Sequence, residues 1–402
     1  LSVSGTKENK ISKMFSSHSH RRTVSRALLA FTITAIAITA QDQTDWSRQD
    51  LKMRSFQRRS IDSFDFRESK ADSCDFTNTT ASKVDFRNAS LRGTRFTNAQ
   101  IDNGRFQNAD FSNASVGNSF FTNGDFTGAK FNNASLENIT CTGGFYEKAD
   151  FSNANLVGAK FTENTSFARS NFANARLTGV DLTGANFAKT NLTKANLVGT
   201  NLPGANFSGA LIAHTDFSKA NLIGANLKGL TLKNAIFRGA GLNRASLGGV
   251  KFENVDLEGA DLSLTTFSGT DFSKAKLSRA QFTDAILKGI DFTKMKLSGT
   301  KYDKSKLREI NFAGADLDKA SFYDAEIIKP IFSRANLRRA VFDGAYIEKG
   351  QFTEAELDRA TFANANIDRV LFDKANLERA DFRGAKFQKA IFANASMRDA
   401  RM

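Results

Sequence analysis

The sequence predicts an all-β solenoid, a fold in which the chain winds around one continuous core. Three observations predict it. From Phe167 to Met402 nearly every fifth residue is Phe, Leu or Ile, the residue two positions earlier is usually small, and the other three positions are polar. A period of five matches neither the period of a helix nor that of an ordinary strand. It does fit a chain that turns a corner every five residues, with four corners to a coil of about twenty residues.

Two positions of each repeat point into the coil and three point out. In segment 385–389, Ala385 and Phe387 are expected inside, and the other three residues are expected in solvent. The large apolar residue, which we term the central residue, stacks on its counterpart one coil away at a strand spacing of about 4.8 Å. Counting central residues gives about eighteen coils around a single core.

Segment 192–226 shows the repeat as LTKANLVGTNLPGANFSGALIAHTDFSKANLIGAN. Its pattern Ala-(Asp/Asn)-Leu-X-X, with Phe or Leu at the centre, resembles the pentapeptide-repeat family over most of the chain. The resemblance implies a right-handed quadrilateral β-helix. Some members of that family mimic DNA and bind topoisomerases, which requires a strongly acidic rod. This chain departs from that group, because its net charge is +14 and its repeats run to Met402 without a dimerising helix.

The central residues follow one register from Trp46 to Phe161 and a second from Phe167 to Met402. The step between the two registers is six residues instead of five, which predicts a one-residue bulge at 162–166. Residues 45–53 depart from the motif, so we expect an N-terminal cap there, with one helical turn as a candidate. The predicted domains are a leader at 1–40, a cap with irregular first repeats at 41–65, and the β-helix at 66–402.

The core of the C-terminal half has a finer pattern. From Phe282 onward, Phe alternates with Leu, Ile or Tyr at the central position, as in Phe332, Leu337 and Phe342. In a coil of about twenty residues, a ten-residue alternation places two Phe ladders on opposite walls. Aliphatic ladders are then expected on the other two walls.

Residues 14–40 have the layout of a cleavable export signal, with a basic region, an apolar run from Ala27 to Ala40 and small residues before Gln41. The run is short for a membrane span, and an uncleaved anchor is the alternative. Residues 1–13 are rich in Ser and Lys. Together with Arg21-Arg22 they look like a two-stage plastid signal, which favours the thylakoid lumen. A bacterial periplasmic signal that starts at Met14 is the alternative.

The repeat region offers little that is typical of a catalytic or metal site. His214, the only histidine outside the leader, takes an outward position. Cys74 and Cys141 take inward positions about three coils apart, beyond disulfide reach, and are expected to be buried fillers. Asp residues just before the centre are expected to accept hydrogen bonds from turn backbone: Asp181, Asp216, Asp256, Asp271 and Asp291. We therefore expect a protein that is not an enzyme and has no cofactor or metal.

Basic residues recur at twenty-residue steps in two columns on opposite sides of the rod: Lys319, Arg339, Arg359 and Arg379, and Lys329, Lys349, Arg369 and Lys389. Acidic residues lie among them, so one interpretation is a solvated surface with salt bridges. The other is a docking strip for an acidic protein or an anionic membrane surface. Nucleic acid is disfavoured as a partner, because an outward set of aromatic residues for base stacking is lacking.

A third wall carries Ile331, Leu371 and Ile391 at the outward position before the centre, where Asp or Asn is usual. Stacked apolar residues at a polar site indicate a protein-docking surface, and scatter in a degenerate repeat is the alternative. The last coil would present unpaired edge groups, which a partner or a second copy of the chain would cover.

These features favour a structural or interaction protein without catalysis. In this hypothesis a rigid exported rod docks onto a multisubunit protein assembly, with the photosynthetic membrane as the favoured place. The alternative is a regulatory binding module that acts on nucleic acid or a topoisomerase.

Overall fold

The computed structural model describes residues 43–162 and 165–402, and the chain divides into two units, Leu1–Trp46 and Ser47–Met402. The predicted leader at 1–40 lies outside the described residues. In the first unit, Gln43 Nε2 donates to the Asp45 carbonyl at 2.7 Å, and Trp46 Nε1 donates to the Gln43 carbonyl at 2.9 Å.

The second unit is an all-β solenoid of parallel coils, as predicted, and its described residues contain no helix. The described residues contain fifteen strands. This number is lower than the roughly eighteen predicted coils, because several coils are joined to their neighbours only by isolated bridges and contain no strand. The strands are β1 (Thr80–Ser82), β2 (Gln100–Asp102), β3 (Phe120–Thr122), β4 (Thr140–Thr142), β5 (Lys160–Thr162), β6 (Ile212–Ala213), β7 (Thr231–Lys233), β8 (Lys251–Glu253), β9 (Thr266–Ser268), β10 (Ile286–Lys288), β11 (Lys306–Arg308), β12 (Glu326–Ile328), β13 (Tyr346–Glu348), β14 (Asn366–Asp368) and β15 (Lys386–Gln388).

Parallel pairing of residues one coil apart builds four walls, which the chain visits in a fixed order. Wall 1 contains β1–β5 and continues from Asp181 to Arg401. Wall 2 contains β9–β15, and wall 3 contains β6–β8 together with residues 291 to 391 of the later coils. Wall 4 has isolated bridges only, from Ser55 to Ser396.

Each regular corner between two walls is a β-turn whose third residue has a positive φ. At one such corner the Ala205 N–H donates to the Leu202 carbonyl at 3.1 Å, and Gly204 has a φ of 67°. Pro203 takes the second turn position, where a fixed φ favours this type of turn. The corners after the strands are wider and lack this bond. Pro330, which follows β12, fits there because it has no N–H to donate.

The two Phe ladders predicted from Phe282 onward are confirmed on opposite walls. Phe282 to Phe382 stack along wall 1, with Tyr302 among them, and Phe292 to Phe392 stack along wall 3, with centroids 4.7–5.2 Å apart within each ladder. Rings of the two ladders meet mostly edge to face, as at Phe332 and Phe342. Leu and Ile fill the interior of walls 2 and 4 over most of this length. Each coil of the C-terminal half therefore has nearly the same core section.

An extra residue enters the chain between residues 160 and 166. Bridged residues are twenty apart before and after this segment, but Phe145 pairs with Ser166 and Asp150 pairs with Asn171, which are twenty-one apart. The predicted bulge at 162–166 includes residues 163 and 164, which lie outside the described residues. The four walls resume after the insertion with unchanged order.

The start of the second unit is regular. Asp50 bridges Lys70 and Ser55 bridges Asp75, with the same turns between them as in later coils. The helical turn suggested for residues 45–53 is therefore wrong for residues 47–53, because the stacked coil provides backbone partners that a turn of helix cannot use.

Candidate protein-docking face

The apolar column predicted from the sequence lies on wall 3, where its members share one ladder. Bridges join Ile331 to Gln351, Gln351 to Leu371 and Leu371 to Ile391. We call these four residues the docking face. Each donates its backbone N–H to a carbonyl of the preceding coil at 2.9–3.0 Å. The stacked rings of Phe332, Phe352, Phe372 and Phe392 lie in the same wall. A rigid wall thus holds this apolar column.

The side chains of the docking face reach solvent. Leu371 is 39% exposed and Ile391 is 50% exposed, whereas Ile331 is partly buried. Gln351 interrupts the column with an exposed amide. Ladder neighbours are one strand spacing apart, about 4.8 Å, so Leu371 and Ile391 form a continuous apolar surface.

Apolar residues at this position forgo a local hydrogen bond. One coil earlier on the same wall, Asn311 Oδ1 accepts the N–H of Ala313 at 3.1 Å, and this turn bond recurs throughout the rod. Ile331, Leu371 and Ile391 have no side-chain oxygen to offer. Each lost bond costs roughly 1 kcal/mol, and the exposed side chains gain little burial in return.

The clustering distinguishes the docking face from scattered apolar residues. Leu211, Ile236 and Ile286 occupy the same repeat position but stand singly on walls 3, 4 and 2. Phe120 and Phe145 are exposed aromatic residues at this position, and they also stand on different walls. Within residues 43–162 and 165–402, only wall 3 has apolar residues at this position in two successive coils.

The two basic columns lie at corners of the coil and not on its walls. Their members take the third turn position, with φ between 53° and 60°. Lys319, Arg339, Arg359 and Arg379 follow wall 4, and Lys329, Lys349, Arg369 and Lys389 follow wall 2 at the diagonally opposite corner. The second column precedes the docking face by two residues in every coil, so it forms the basic margin of that face.

Ion pairs neutralise much of both columns. In the margin of the docking face, Arg369 contacts Glu348 and Asp368 at 2.7 Å each, and Lys349 lies 3.2 Å from Glu348. In the opposite column Arg339 contacts Asp318 at 2.7 Å and Arg379 contacts Asp358 at 2.6 Å. Among the described residues Lys389, next to Ile391, takes part in no salt bridge.

The Asp and His residues considered as catalytic candidates lie at or next to the turns of the repeat. The five Asp residues named from the sequence each accept the N–H two residues later at 2.8–3.2 Å, which confirms their predicted role. His214 is exposed at a turn position with φ 56°. In the described part of the chain, no group of three or more His, Cys, Asp or Glu residues could hold a metal ion. No helix of that part is long and apolar enough to cross a membrane.

Both cysteines are buried free thiols, as predicted. The Cys74 thiol donates to the Leu51 carbonyl at 3.0 Å from a small inward site, and Cys141 occupies a central site. Burial raises the pKa of Cys74 to about 11 and that of Cys141 to about 12. Neither thiol is therefore activated as a nucleophile at neutral pH.

One surface feature was missed by the sequence prediction. The backbone pairing between coils, which we call the coil ladder, is missing on walls 3 and 4 between residues 270 and 296, and a cleft of about 440 Å³ lies there. Met295 stands at the small inward position, where the next two coils have Ala315 and Ala335. The large residue at this small inward position can be seen in the sequence, and it could have indicated the cleft.

Solved structures of repeat proteins resemble the chain at low identity. HetL, a pentapeptide repeat protein involved in heterocyst differentiation regulation from Nostoc sp. strain PCC 7120, is 23% identical, with 67% of this chain and 90% of HetL covered and a TM-score of 0.21. Full-length QnrB1, a plasmid-mediated fluoroquinolone resistance protein, is 20% identical over 56% of this chain and 93% of its own, with a TM-score of 0.21. A pentapeptide repeat protein from the Arabidopsis thaliana thylakoid lumen is 24% identical, with 36% of this chain and 71% of that protein covered and a TM-score of 0.15.

No curated protein sequence matches the chain. Two family models do. The model for pentapeptide repeats matches residues 65–104, 105–140, 170–209, 201–239, 320–359, 335–373 and 365–402. The model for a pentapeptide repeat region matches residues 245–322. These matches extend over more than half of the sequence, so the chain belongs to the pentapeptide-repeat family, whose members are structural and interaction modules and are generally not catalytic.

Proposed function

We propose that the protein is a non-enzymatic interaction rod that docks onto a protein assembly through the docking face on wall 3. The observation that carries this proposal is the replacement of turn-capping Asn or Asp by Ile331, Leu371 and Ile391 on one rigid wall. The replacement costs local hydrogen bonds, and a partner that buries the column would offset that cost.

The surroundings of the docking face specify the chemistry of the partner. An apolar ridge two or three residues long would pack against Leu371 and Ile391, which are the most exposed apolar members. Acidic side chains at the edge of the same partner would meet Lys389, whereas Arg369 and Lys349 are already paired within the rod. A neutral or acidic protein with an apolar ridge fits this arrangement better than an anionic membrane, because the margin carries little unpaired charge.

The compartment is part of the proposal. The basic region, the apolar run at 27–40 and the small residues before Gln41 support export, and the Ser-rich leader favours the thylakoid lumen over a periplasm. Mass spectrometry of the N-terminus of the native protein tests this. A mature start near Gln41 supports export, and an intact leader in the cell contradicts it.

The docking proposal is tested with the triple variant I331N/L371N/I391N in the full chain. Asn is the ordinary residue at this position and restores the turn acceptor, as Asn311 shows, so the rod should fold at least as well as the wild type. The control is L211N/I236N/I286N, which makes the same change at the same repeat position on scattered sites. Affinity purification with quantitative mass spectrometry compares the companions of the three proteins.

We expect the docking-face variant to lose its protein companions and the control to keep them. Companions retained by both variants would contradict the docking face. Recovery of nucleic acid or a topoisomerase in place of a protein assembly would overturn the proposed function itself.

A further inference from the structure

Among the described residues, the backbone pairing between successive coils is interrupted at two neighbouring gaps. Bridges are missing on wall 3 between Asp271 and Asp291 and on wall 4 between Lys276 and Lys296, although wall 1 is bridged throughout this region. The ladder is intact again at Gly269, which donates to the Lys288 carbonyl at 2.9 Å, and at Arg279, which donates to the Ser298 carbonyl at 2.9 Å. This gap is therefore confined to one corner between two coils. The neighbouring gap lies one coil earlier, between Ser246 and Thr266 on wall 2 and between Lys251 and Asp271 on wall 3.

Backbone donors are left open on both lips of this gap. One coil later the equivalent donors are paired: Phe292 donates to the Asn311 carbonyl at 2.7 Å, and Leu297 donates to the Asp316 carbonyl at 2.7 Å. In the gap the N–H groups of Phe272, Leu277 and Lys296 have no backbone acceptor in the described part of the chain. Backbone donors without partners bind water or an anionic ligand.

Met295 lies at this gap. Its side chain starts from a small inward site that Ala fills in the following coils, and it is only partly buried. Ala275, at the same site one coil earlier, is also partly exposed. Met is longer than the Ala that fills this site in the next coils, and overpacking of a close-packed core moves the backbone.

The wall 4 end of the gap is a basic cleft of about 440 Å³, which is within the size range of small-molecule sites. Lys276, Lys294 and Lys296 line it together with the hydroxyls of Ser273, Thr293 and Ser278. Lys294 and Lys296 take part in no salt bridge among the described residues, and Lys276 lies 3.8 Å from Asp256.

The acidic groups near the cleft are already engaged. Glu258, which also lines it, pairs with Arg279 and lies 3.9 Å from Arg238. Asp271 and Asp291 lie toward the wall 3 end, where each accepts a turn N–H, from Ser273 and Thr293 respectively. The free charge at the wall 4 end is therefore positive.

We propose that this cleft binds a small polyanion, a molecule that carries two or more phosphate or carboxylate groups. Lys294 and Lys296 supply charge-assisted hydrogen bonds, and the hydroxyls and the open N–H of Lys296 supply neutral ones. The size of the cleft restricts the ligand to a small molecule. The site is separate from the docking face, so either proposal can fail without the other.

Isothermal titration calorimetry of the full chain at low ionic strength, with pyrophosphate in one series and citrate in the other, tests the site. The double variant K294Q/K296Q should weaken binding at least about tenfold, since two charge-assisted contacts are lost. The matched control is K304Q/K306Q, which removes two unpaired lysines at the same repeat positions on another side of the rod. It should change affinity less than about twofold, because exposed charges at that distance are screened.

The variant M295A tests the shape of the cleft without changing charge. Ala at this site should let the coils close, slow the hydrogen exchange of the Phe272 and Leu277 amides, and weaken binding at least about tenfold. Preference for pyrophosphate or for citrate identifies which anionic group the cleft selects. Absence of binding of both probes to the wild type, equal losses in the two lysine variants, or unchanged affinity in M295A with slowed exchange would each overturn the proposal.

Discussion

Truncation of one ring in a Phe ladder should unfold the rod locally. Phe342 is fully buried and stacks on Phe322 at 4.7 Å and on Phe362 at 4.8 Å, and it meets Phe332 and Phe352 edge to face at 5.8 Å each. The change Phe342→Ala removes all four ring contacts and leaves a cavity. Such truncations cost about 3–5 kcal/mol, and each aromatic pair contributes roughly 0.5–1.5 kcal/mol of that cost.

The cost should be confined to nearby coils, because each coil contacts only its neighbours. Hydrogen exchange measured by mass spectrometry resolves this. The amides of Phe342 and Gly344, which donate to Thr361 and Ala363 of the next coil, should exchange about 100-fold faster or more, since each 1.4 kcal/mol is a factor of ten. Amides near Phe187 should keep their wild-type rates.

A second variant separates ring stacking from volume. Phe342→Leu keeps most of the volume and should cost only about 1–2 kcal/mol, chiefly the lost ring contacts. Unchanged exchange in Phe342→Ala would refute the burial argument. Equal acceleration along the whole rod would refute the nearest-neighbour argument.

Two further predictions concern buried polar groups. The Tyr302 hydroxyl is fully buried and makes no hydrogen bond of ordinary geometry within the described residues, so Tyr302→Phe should raise the free energy of unfolding by about 1 kcal/mol, and a lower thermal midpoint would contradict this. Burial raises the pKa of the Cys74 and Cys141 thiols to about 11 and about 12, from an ordinary value of 9.0. The unfolded chain therefore ionises first, and native stability should fall as pH rises from about 9 to about 11. Denaturant titrations across that range check the trend, and rapid thiol labelling of the native protein at pH 8 would contradict the burial.

The regular part of the fold was predictable because one rule repeats in every coil. The inward positions, the opposed ladders of Phe332 and Phe342, and the turn bonds accepted by Asp271 and Asp291 all follow from the five-residue pattern. These three features depend only on local backbone geometry and on stacking at a fixed spacing. Local geometry and stacking can both be inferred from the spacing of residues in the sequence.

The features that were not predictable depend on side-chain conformation or on departures from the rule. The pattern places Arg369 at an outward position, but its pairing with both Glu348 and Asp368 depends on rotamers. Strand pairing moves along the chain from wall 1 to wall 3 and then to wall 2, and composition does not explain this change. To predict the cleft, one would have to know how Met295 displaces the neighbouring coil. That depends on the packing of two coils against each other and not on the pattern of one repeat.

The five-residue repeat also acts as an angular step. One repeat advances the chain from one wall to the next, so the gain or loss of a single repeat between the cleft and the docking face would turn the two sites by a quarter turn relative to each other. Gain or loss of four repeats would lengthen or shorten the distance between the two sites by one coil, without rotation. The extra residue before Ser166 produced no rotation, because the walls resume in the same order. Repeat number between two sites therefore sets their relative orientation, and gene duplication in units of twenty residues is the change that preserves it.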